Sequence, residues 1–415
     1  MPQITIIGAG ITGVTSAYEL ALLGYDVTVI DRHLYPAMET SYANGGQLSA
    51  CNAEVWNQKA TVLKGLKWMS QKSAPLLLNP SFNLHKYSWL FEFMGHIKHY
   101  EKNTCETVRL ALLARQRLFE IAELEKIDFD LEKRGILHFY HHQQDYDVAI
   151  RVNELLCRGG LKRYAVTSAE IKHIEPALTQ NYFAGFYCPD DATGDIHKFT
   201  VGLAKVCEQK GVKFIWGAAV TEIKEFKLGL EIAYQASDKN MQLDHDIHPI
   251  VADGVLICAG VGSYQLAELV GDRVNVYPVK GYSITINLQD QASLDQAPWV
   301  SLLDEQAKIV TSRLGIDRLR VAGTAEFNGY NRDIRVDRIQ PLIHWSQQNF
   351  NISTEYVIPW AGLRPMMPNM MPVIRQGKSN RVFYNTGHGH LGWTLSAATA
   401  VLISQLILKE IPCIE

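Results

Sequence analysis

Apolar residues open the chain in short β-branched runs separated by an amphipathic stretch. Residues 4–7, Ile-Thr-Ile-Ile, form a continuous apolar run before a glycine, the signature of a strand buried in a parallel sheet. VTSAYELALLG then repeats its apolar positions with a helical period and stops at Gly24, and DVTVI predicts a second buried strand closed by Asp31. Helical periodicity returns in ETVRLALLARQRLFEIAELEK and gives way to a strand, GILHFYH. AGFYCPDDATGDIHKFTVGLAKVCEQKG predicts a strand, a turn built on Pro189, Asp190, Asp191 and Gly194, and an amphipathic helix. The strand VKFIWGAAV is expected to end near Val220, and the polar segment 224–249 to form a surface hairpin. VADGVLICAGVGS returns a strand to a glycine-rich turn. From about residue 272 to 345, SITINL, KIVTSR and RLRVAGTAEF combine β-branched residues with partial alternation, as in an antiparallel sheet.

Composition narrows the class. With 415 residues, 47% hydrophobic and 20% charged, the chain is an ordinary folded protein of two to three domains, not a disordered, collagen-like or disulfide-stapled one. A net charge of −3 gives no global attraction to nucleic acid. The seven cysteines are scattered, with no Cys-x-x-Cys pair, which argues against a disulfide framework or a cysteine-rich zinc site and for a reducing compartment. The N-terminus lacks a basic leader, and no run of 18 apolar residues predicts a transmembrane segment; Leu395 to Leu408 is interrupted by serines, a threonine and Gln405.

The first strand runs into Gly8-Ala9-Gly10-Ile11-Thr12-Gly13. Gly8 permits the tight turn into the helix, Gly10 lets a pyrophosphate approach the backbone, and Gly13 lets helix and strand pack closely. The helix N-terminus offers free N–H groups and a positive dipole end to phosphates, and Asp31 can accept from a ribose hydroxyl pair. The turn alone does not separate NAD from FAD. The stretch past the second strand favours FAD: after Arg32 the chain stays irregular through ETSYANGGQLS, where Ser41, Asn44, Gly45, Gly46, Gln47 and Leu48 are small or hydrogen-bonding, as suits a long cofactor threaded into the protein. The competing reading of this run is a solvated surface loop. The expected fold class is α/β, α+β over the whole chain, with a Rossmann-like FAD-binding domain interleaved with an antiparallel-sheet substrate domain.

These pieces, together with PDDATGDIHKFT, YPVKGYSITI, WAGLRPMMPNMMPVI and NTGHGHLGWTLS, resemble in order the D-amino acid oxidase-like FAD-dependent oxidoreductases, and among them the bacterial D-amino acid dehydrogenases of the small-subunit type. The resemblance implies non-covalent FAD and oxidative deamination of D-amino acids by hydride transfer from Cα to flavin N5. The imine then hydrolyses to a 2-oxo acid and ammonia, and electrons pass to a quinone-type acceptor. It implies FAD-binding segments 1–90, 190–271 and 346–415, and substrate-binding segments 91–189 and 272–345. Val220 would approach the adenine, and Ala259 and Gly260 would line the dinucleotide. A relative acting on glycine, sarcosine or proline shares all these features and is the alternative.

Arg364 is the leading candidate for chemistry. A planar, permanently charged guanidinium grips a carboxylate with paired hydrogen bonds, and the resemblance assigns the arginine of WAGLRP that role. Gly387, His388, Gly389, His390, Leu391, Gly392 and Thr394 open the last helix and are implied to lie beside the isoalloxazine, where a positive helix end favours the reduced, anionic cofactor. His390 departs from the small hydroxylated residue usual there. Lys280 and Tyr282 are candidates facing flavin or substrate, against the alternative of ordinary packing. No metal is expected: His388 and His390 stand on a turn without partner ligands. Residues 63–100 combine Trp68, Trp89, Phe91 and Phe93 with Lys64, Lys67 and Lys72, which suits either peripheral membrane contact or helices packed on the protein. The expected location is cytoplasmic, peripheral on the inner face of a bacterial membrane.

Overall fold

The computed structural model describes residues 1–62, 76–237 and 243–413. Six strands form the first sheet, in the order Val373–Gln376, Val382–Thr386, Gly254–Ile257, Gln3–Ile7, Asp26–Ile30, Lys213–Ile215. All neighbours are parallel except the first pair. The expected apolar runs occupy its centre: Ile4 to Ile7 and Gly254 to Ile257 are buried in register. Helix Ile11–Leu22 packs on one face with Ile196–Gln209 and the terminal helix Gly392–Glu410. Asp195 caps Ile196–Gln209 by accepting from the N–H groups of His197 and Lys198 at 2.9 and 3.2 Å, which is what the acidic end of the PDDATGD turn is for.

The second sheet runs Val357–Met366, Tyr277–Asn287, Arg318–Phe327, Ile309–Leu314, Ser301–Asp304, Ile136–Tyr140, Ala184–Cys188, Tyr164–Thr167, with Leu76–Leu78 paired alongside Arg318–Phe327. It is antiparallel apart from the pairings of Ile136–Tyr140 with Ser301–Asp304 and of Leu76–Leu78. The α/β class with an antiparallel second sheet is therefore observed.

The segment boundaries fall differently. Helix Tyr100–Leu124, placed by its position in the substrate half, buries Ala114, Leu118 and Ile121 in the same core as Ile4, Val14 and Ile403. Strand Val357–Met366, expected in the FAD-binding segment, is the edge of the second, mainly antiparallel sheet. Sequence order hides both because the chain crosses between the sheets several times. VKFIWGAAV is two strands, broken at Gly217 (φ 65°), and the polar excursion is a three-stranded sheet, Ala218–Phe226, Gly229–Ser237 and Leu243–Ala252.

Gly389–Glu410 is long and apolar enough to cross a membrane, yet about two thirds of it is buried inside the fold. Trp393, Ala397, Ala400 and Ile403 are sealed against the helices around them, so it serves as a core helix. Among residues 63–100, Trp68 and the three lysines lie outside the described residues. Helix Leu84–Gly95 is two-faced. Trp89 and Phe93 pack inward beside Tyr277 and Phe327, while Phe82, Leu84 and Phe91 are each about three-quarters exposed. All seven cysteines are free.

Candidate active site

The two sheets enclose a cavity of about 850 Å³. That is within the range of roughly 300–1,000 Å³ of ligand pockets. At its nucleotide end the three glycines do three different things. Gly8 has φ 109°, and a Cβ there would lie 2.7 Å from the Cys258 carbonyl oxygen. A Cβ on Gly13 would lie 1.8 Å from the Gly8 oxygen, so helix and strand touch through it. A Cβ on Gly10 would meet nothing nearer than Ser41 Oγ at 3.4 Å, so this glycine leaves room rather than filling it. Ser41 Oγ accepts from the Ile11 N–H at 3.1 Å. Asp31 accepts from the N–H of Ala9 at 2.6 Å and of His33 at 2.8 Å. Burial raises its carboxyl above the usual range, and these two donors offset part of that rise.

The irregular run is no solvated loop. Ser41, Ala43, Gly46, Gln47 and Leu48 are buried. Ser283 Oγ and Ser312 Oγ donate to the carbonyls of Ala43 and Gly45 at 2.8 and 2.6 Å, and Arg320 Nη1 to that of Asn44 at 3.0 Å, so the substrate sheet stitches the run in place.

Arg364 lines the same cavity. Its guanidinium lies flat on Gly281, where a Cβ would come within 2.4 Å of it. Nη1 donates to the Thr324 carbonyl at 2.9 Å. A β-bulge between Lys280 and Tyr282 and their partners puts that carbonyl there, with Thr324 held at φ 62°. No described carboxylate pairs with Arg364, and burial pushes its pKa down to about 10. A sequestered cation without a counter-ion is a receptor for an anion. His390 stacks on Trp56 at 4.8 Å, with its Nε2 3.4 Å from the Asn52 carbonyl. Burial and the nearby Arg364 push its pKa down to about 4, against a pull upward from Asn52, so it is neutral at pH 7. His388 is also neutral, pushed down to about 3 by burial, and contacts Thr399 Oγ1 at 2.9 Å.

Most of the expected site residues line this one cavity: Gly8, Gly10, Ile11, Thr12, Asp31 and Arg32; Ser41 and Asn44 to Gln47; Val220, Ala259 and Gly260; Arg364, Gly387 to His390 and Gly392. Six do not. Ala9 and Gly13 are structural parts of the turn. Leu48, Leu391 and Thr394 pack behind the wall, with Thr394 Oγ1 accepting from the Ser49 N–H at 3.3 Å. Lys280 is fully buried, donates to Asn331 Oδ1 at 2.7 Å and sits 3.6 Å from Glu326. Tyr282 borders the cavity, but its hydroxyl is donated to Glu326 at 2.7 Å. The alternation of strand Tyr277–Asn287 explains this pair: Val279 stands opposite Arg364, so Lys280 and Tyr282 point to the other face of the sheet. Among the described residues no cluster of three potential metal ligands exists.

Two features escaped the sequence reading. Asp191, fully buried, accepts from the Ala50 and Cys51 N–H groups and from Arg115 Nη1 at 3.1, 2.9 and 2.7 Å, pinning one wall. That wall continues as a segment in which Cys51, Ala53, Val55 and Asn57 are buried while Asn52, Glu54, Trp56 and Gln58 are half-exposed and line the cavity. The alternation in CNAEVWNQ was its signal.

The residues present fit FAD. The Gly10 gap, the N-terminus of helix Ile11–Leu22 and the polar stitched run provide a cradle for a dinucleotide. Gln47 Oε1, Thr324 Oγ1 and Trp393 Nε1, all on cavity-lining residues, are buried without a partner, as expected of groups awaiting a ligand.

Comparison with known proteins agrees. A family model described as DAO, FAD dependent oxidoreductase, matches residues 3–406. The chain is 56% identical to D-amino acid dehydrogenase 3 of Mesorhizobium japonicum over 99% of this chain and 98% of that relative. It is 37% identical to a D-amino acid dehydrogenase of Paramagnetospirillum magneticum over 98% and 94% of the two chains. Its fold is similar to that of the glycine oxidase of Geobacillus kaustophilus, with a TM-score of 0.75 and 20% identity over 99% and 95% of the two chains. The chain therefore belongs to the D-amino acid oxidase-like family of FAD-dependent oxidoreductases.

Proposed function

We propose that this protein is a D-amino acid dehydrogenase. It oxidises the Cα–N bond of a D-amino acid to an imine, which water hydrolyses to a 2-oxo acid and ammonia. The observation that carries the reading is Arg364: a half-buried guanidinium with no described carboxylate partner, on the wall of a dinucleotide-sized cavity, clamped between Gly281 and the Thr324 carbonyl. The 56% identity to a D-amino acid dehydrogenase supports it. Bound FAD supplies the acceptor for the hydrogen and electron pair leaving Cα.

The protein's own part is placement. Arg364 holds the substrate carboxylate through the donors that Thr324 leaves free, which fixes Cα against the cavity wall. Neutral His390 and Trp56 form an apolar, uncharged side of the site, so the positive charge stays on Arg364. No described side chain is required as a base at Cα when the amine enters neutral.

Electrons leave to a quinone-type acceptor rather than oxygen, and the exposed outer face of helix Leu84–Gly95, with Phe82, Leu84, Phe91 and Met94, supports peripheral membrane contact. Turnover of D-amino acids should yield equal amounts of 2-oxo acid and ammonia with a short-chain ubiquinone analogue, and much less with air alone. Products formed only from glycine, sarcosine or proline would transfer the chain to that branch of the family. Flotation with anionic liposomes should carry the holoenzyme, and Phe91→Ser should weaken it; no flotation would remove the membrane part.

A further inference from the structure

The cavity extends beyond Arg364 and His390 into a recess that the carboxylate clamp does not use. One side of it is the segment Asn52 to Gln58, which leaves the short helical turn Ala50–Asn52 and turns again where the Gln58 N–H donates to the Trp56 carbonyl at 2.8 Å. Its far wall is the tip of the hairpin between strands Ser301–Asp304 and Ile309–Leu314, carrying Glu305 and Lys308. Val148, Ala149 and Val152 of helix Gln143–Arg158 and the ring of Tyr140 add an apolar side.

The charges lining this part of the cavity are not all paired: Glu305 has Lys308, whereas Glu54 and Asp145 make no ion pair with a described residue, and Arg163 has no carboxylate partner among them. Glu305 binds Lys308 Nζ at 2.6 Å and His138 Nδ1 at 3.2 Å, so its charge is matched. Arg163 is buried. Its Nη1 and Nη2 reach the Cys51 carbonyl and the Tyr140 hydroxyl, both at 3.4 Å, and its face lies 4.4 Å from the Phe186 ring centroid. It lines the cavity with its Nη groups engaged by these two acceptors. Glu54 differs. One oxygen, Oε1, accepts from Tyr100 Oη at 2.6 Å and from Gln58 Nε2, and Oε2 has no partner among the described residues. Glu54 makes no ion pair with a described residue, and burial raises its carboxyl pKa, with Glu305 adding to the rise and Tyr100, Lys308 and Arg163 opposing it. Two neutral donors thus aim a carboxylate oxygen into the recess, where a cation would complete it. Glu54 stands two residues before Trp56, the residue stacked on His390.

We propose that Glu54, backed by the Glu305–Lys308 hairpin tip, is the specificity-determining end of a side-chain subsite, and that it selects D-amino acids whose side chain ends in a cation. This rests on the dehydrogenase reading above. The methylene stem of such a side chain lies along the Val148–Val152 wall while its terminal ammonium or guanidinium meets Glu54 Oε2.

The test compares D-lysine with D-norleucine, which has the same stem without the ammonium, and with D-glutamate, on the FAD-loaded protein, following anaerobic flavin bleaching and steady-state kcat/KM. D-lysine should exceed D-norleucine in kcat/KM by tenfold or more, and Glu54→Gln should lower that ratio at least tenfold. The wild-type comparison stands even if the variant folds poorly. D-norleucine or D-glutamate reacting as well as D-lysine, or a ratio unchanged in Glu54→Gln, overturns the subsite alone. If no D-amino acid, D-alanine included, bleaches the flavin, the dehydrogenase reading falls and takes the subsite with it.

Discussion

At the scale of single residues, the proposed function turns on Arg364. Hydrogen bonds to charged groups are worth about 1.5–3 kcal/mol, and every 1.4 kcal/mol is tenfold. Arg364→Gln should therefore lower kcat/KM for the best D-amino acid by roughly tenfold to a hundredfold or more, while the purified protein stays yellow. Loss of FAD instead would show that Arg364 holds the cofactor. His390 offers a second check. With its pKa held to about 4, it does not titrate near neutrality, so the kcat/KM profile of His390→Asn should match the wild type in shape between pH 6 and 8. Arg364 was legible because a short motif carries it. Lys280 lies off the cavity and Tyr282 borders it with its hydroxyl turned to Glu326, because a strand's alternation tells which residues share a face but not which face meets the cavity. Glu54 was missed because its neighbours in CNAEVWNQ gave a pattern without a chemistry.

At the scale of elements, the glycine-rich turn separates folding from binding. Gly13→Ala places a methyl 1.8 Å from the Gly8 oxygen, and overpacking of this kind costs about 1–3 kcal/mol, so the apoprotein itself should melt lower. Gly10→Ala has room for its methyl, so the apoprotein should keep its Tm while FAD affinity falls at least tenfold. Equal effects of the two substitutions on apoprotein Tm would contradict this division. The strand-turn-helix was readable because each of its parts is local. The membership of Tyr100–Leu124 and Val357–Met366 was not, because it depends on pairings with segments far away in the chain, such as Tyr18 Oη with Glu125 or Tyr277 with Met366.

At the scale of the whole molecule, Glu39 joins the two halves. It pairs with Arg32 and His33 beside the nucleotide turn and with Arg332, at 2.8 Å, beyond the substrate sheet. Burial opposes its charge, but these partners outweigh it and hold its pKa down to about 2. A carboxyl depressed from about 4.3 in the unfolded chain contributes stability that is complete above that value and lost as pH falls toward about 2. The Tm gap between wild type and Glu39→Gln should thus close as pH falls from 4.5 to 2; a gap that widens over that range would refute the assignment. Helix Gly389–Glu410 shows the converse limit of sequence reading: by length and apolarity it could span a bilayer, yet burial against helices Ile11–Leu22 and Tyr100–Leu124 makes it the spine of the nucleotide half.

The proposed function requires that this cavity bind an amino acid by its carboxylate and oxidise it at Cα in one stereochemical sense. The most direct measurement is anaerobic mixing of the yellow holoenzyme with D- and L-forms of the same amino acids, following the oxidised flavin absorbance. D-forms should bleach it rapidly and completely and L-forms not at all, with the D-form rate lowered in Arg364→Gln. Bleaching by L-forms, or by D-forms at an unchanged rate in Arg364→Gln, would contradict the assignment.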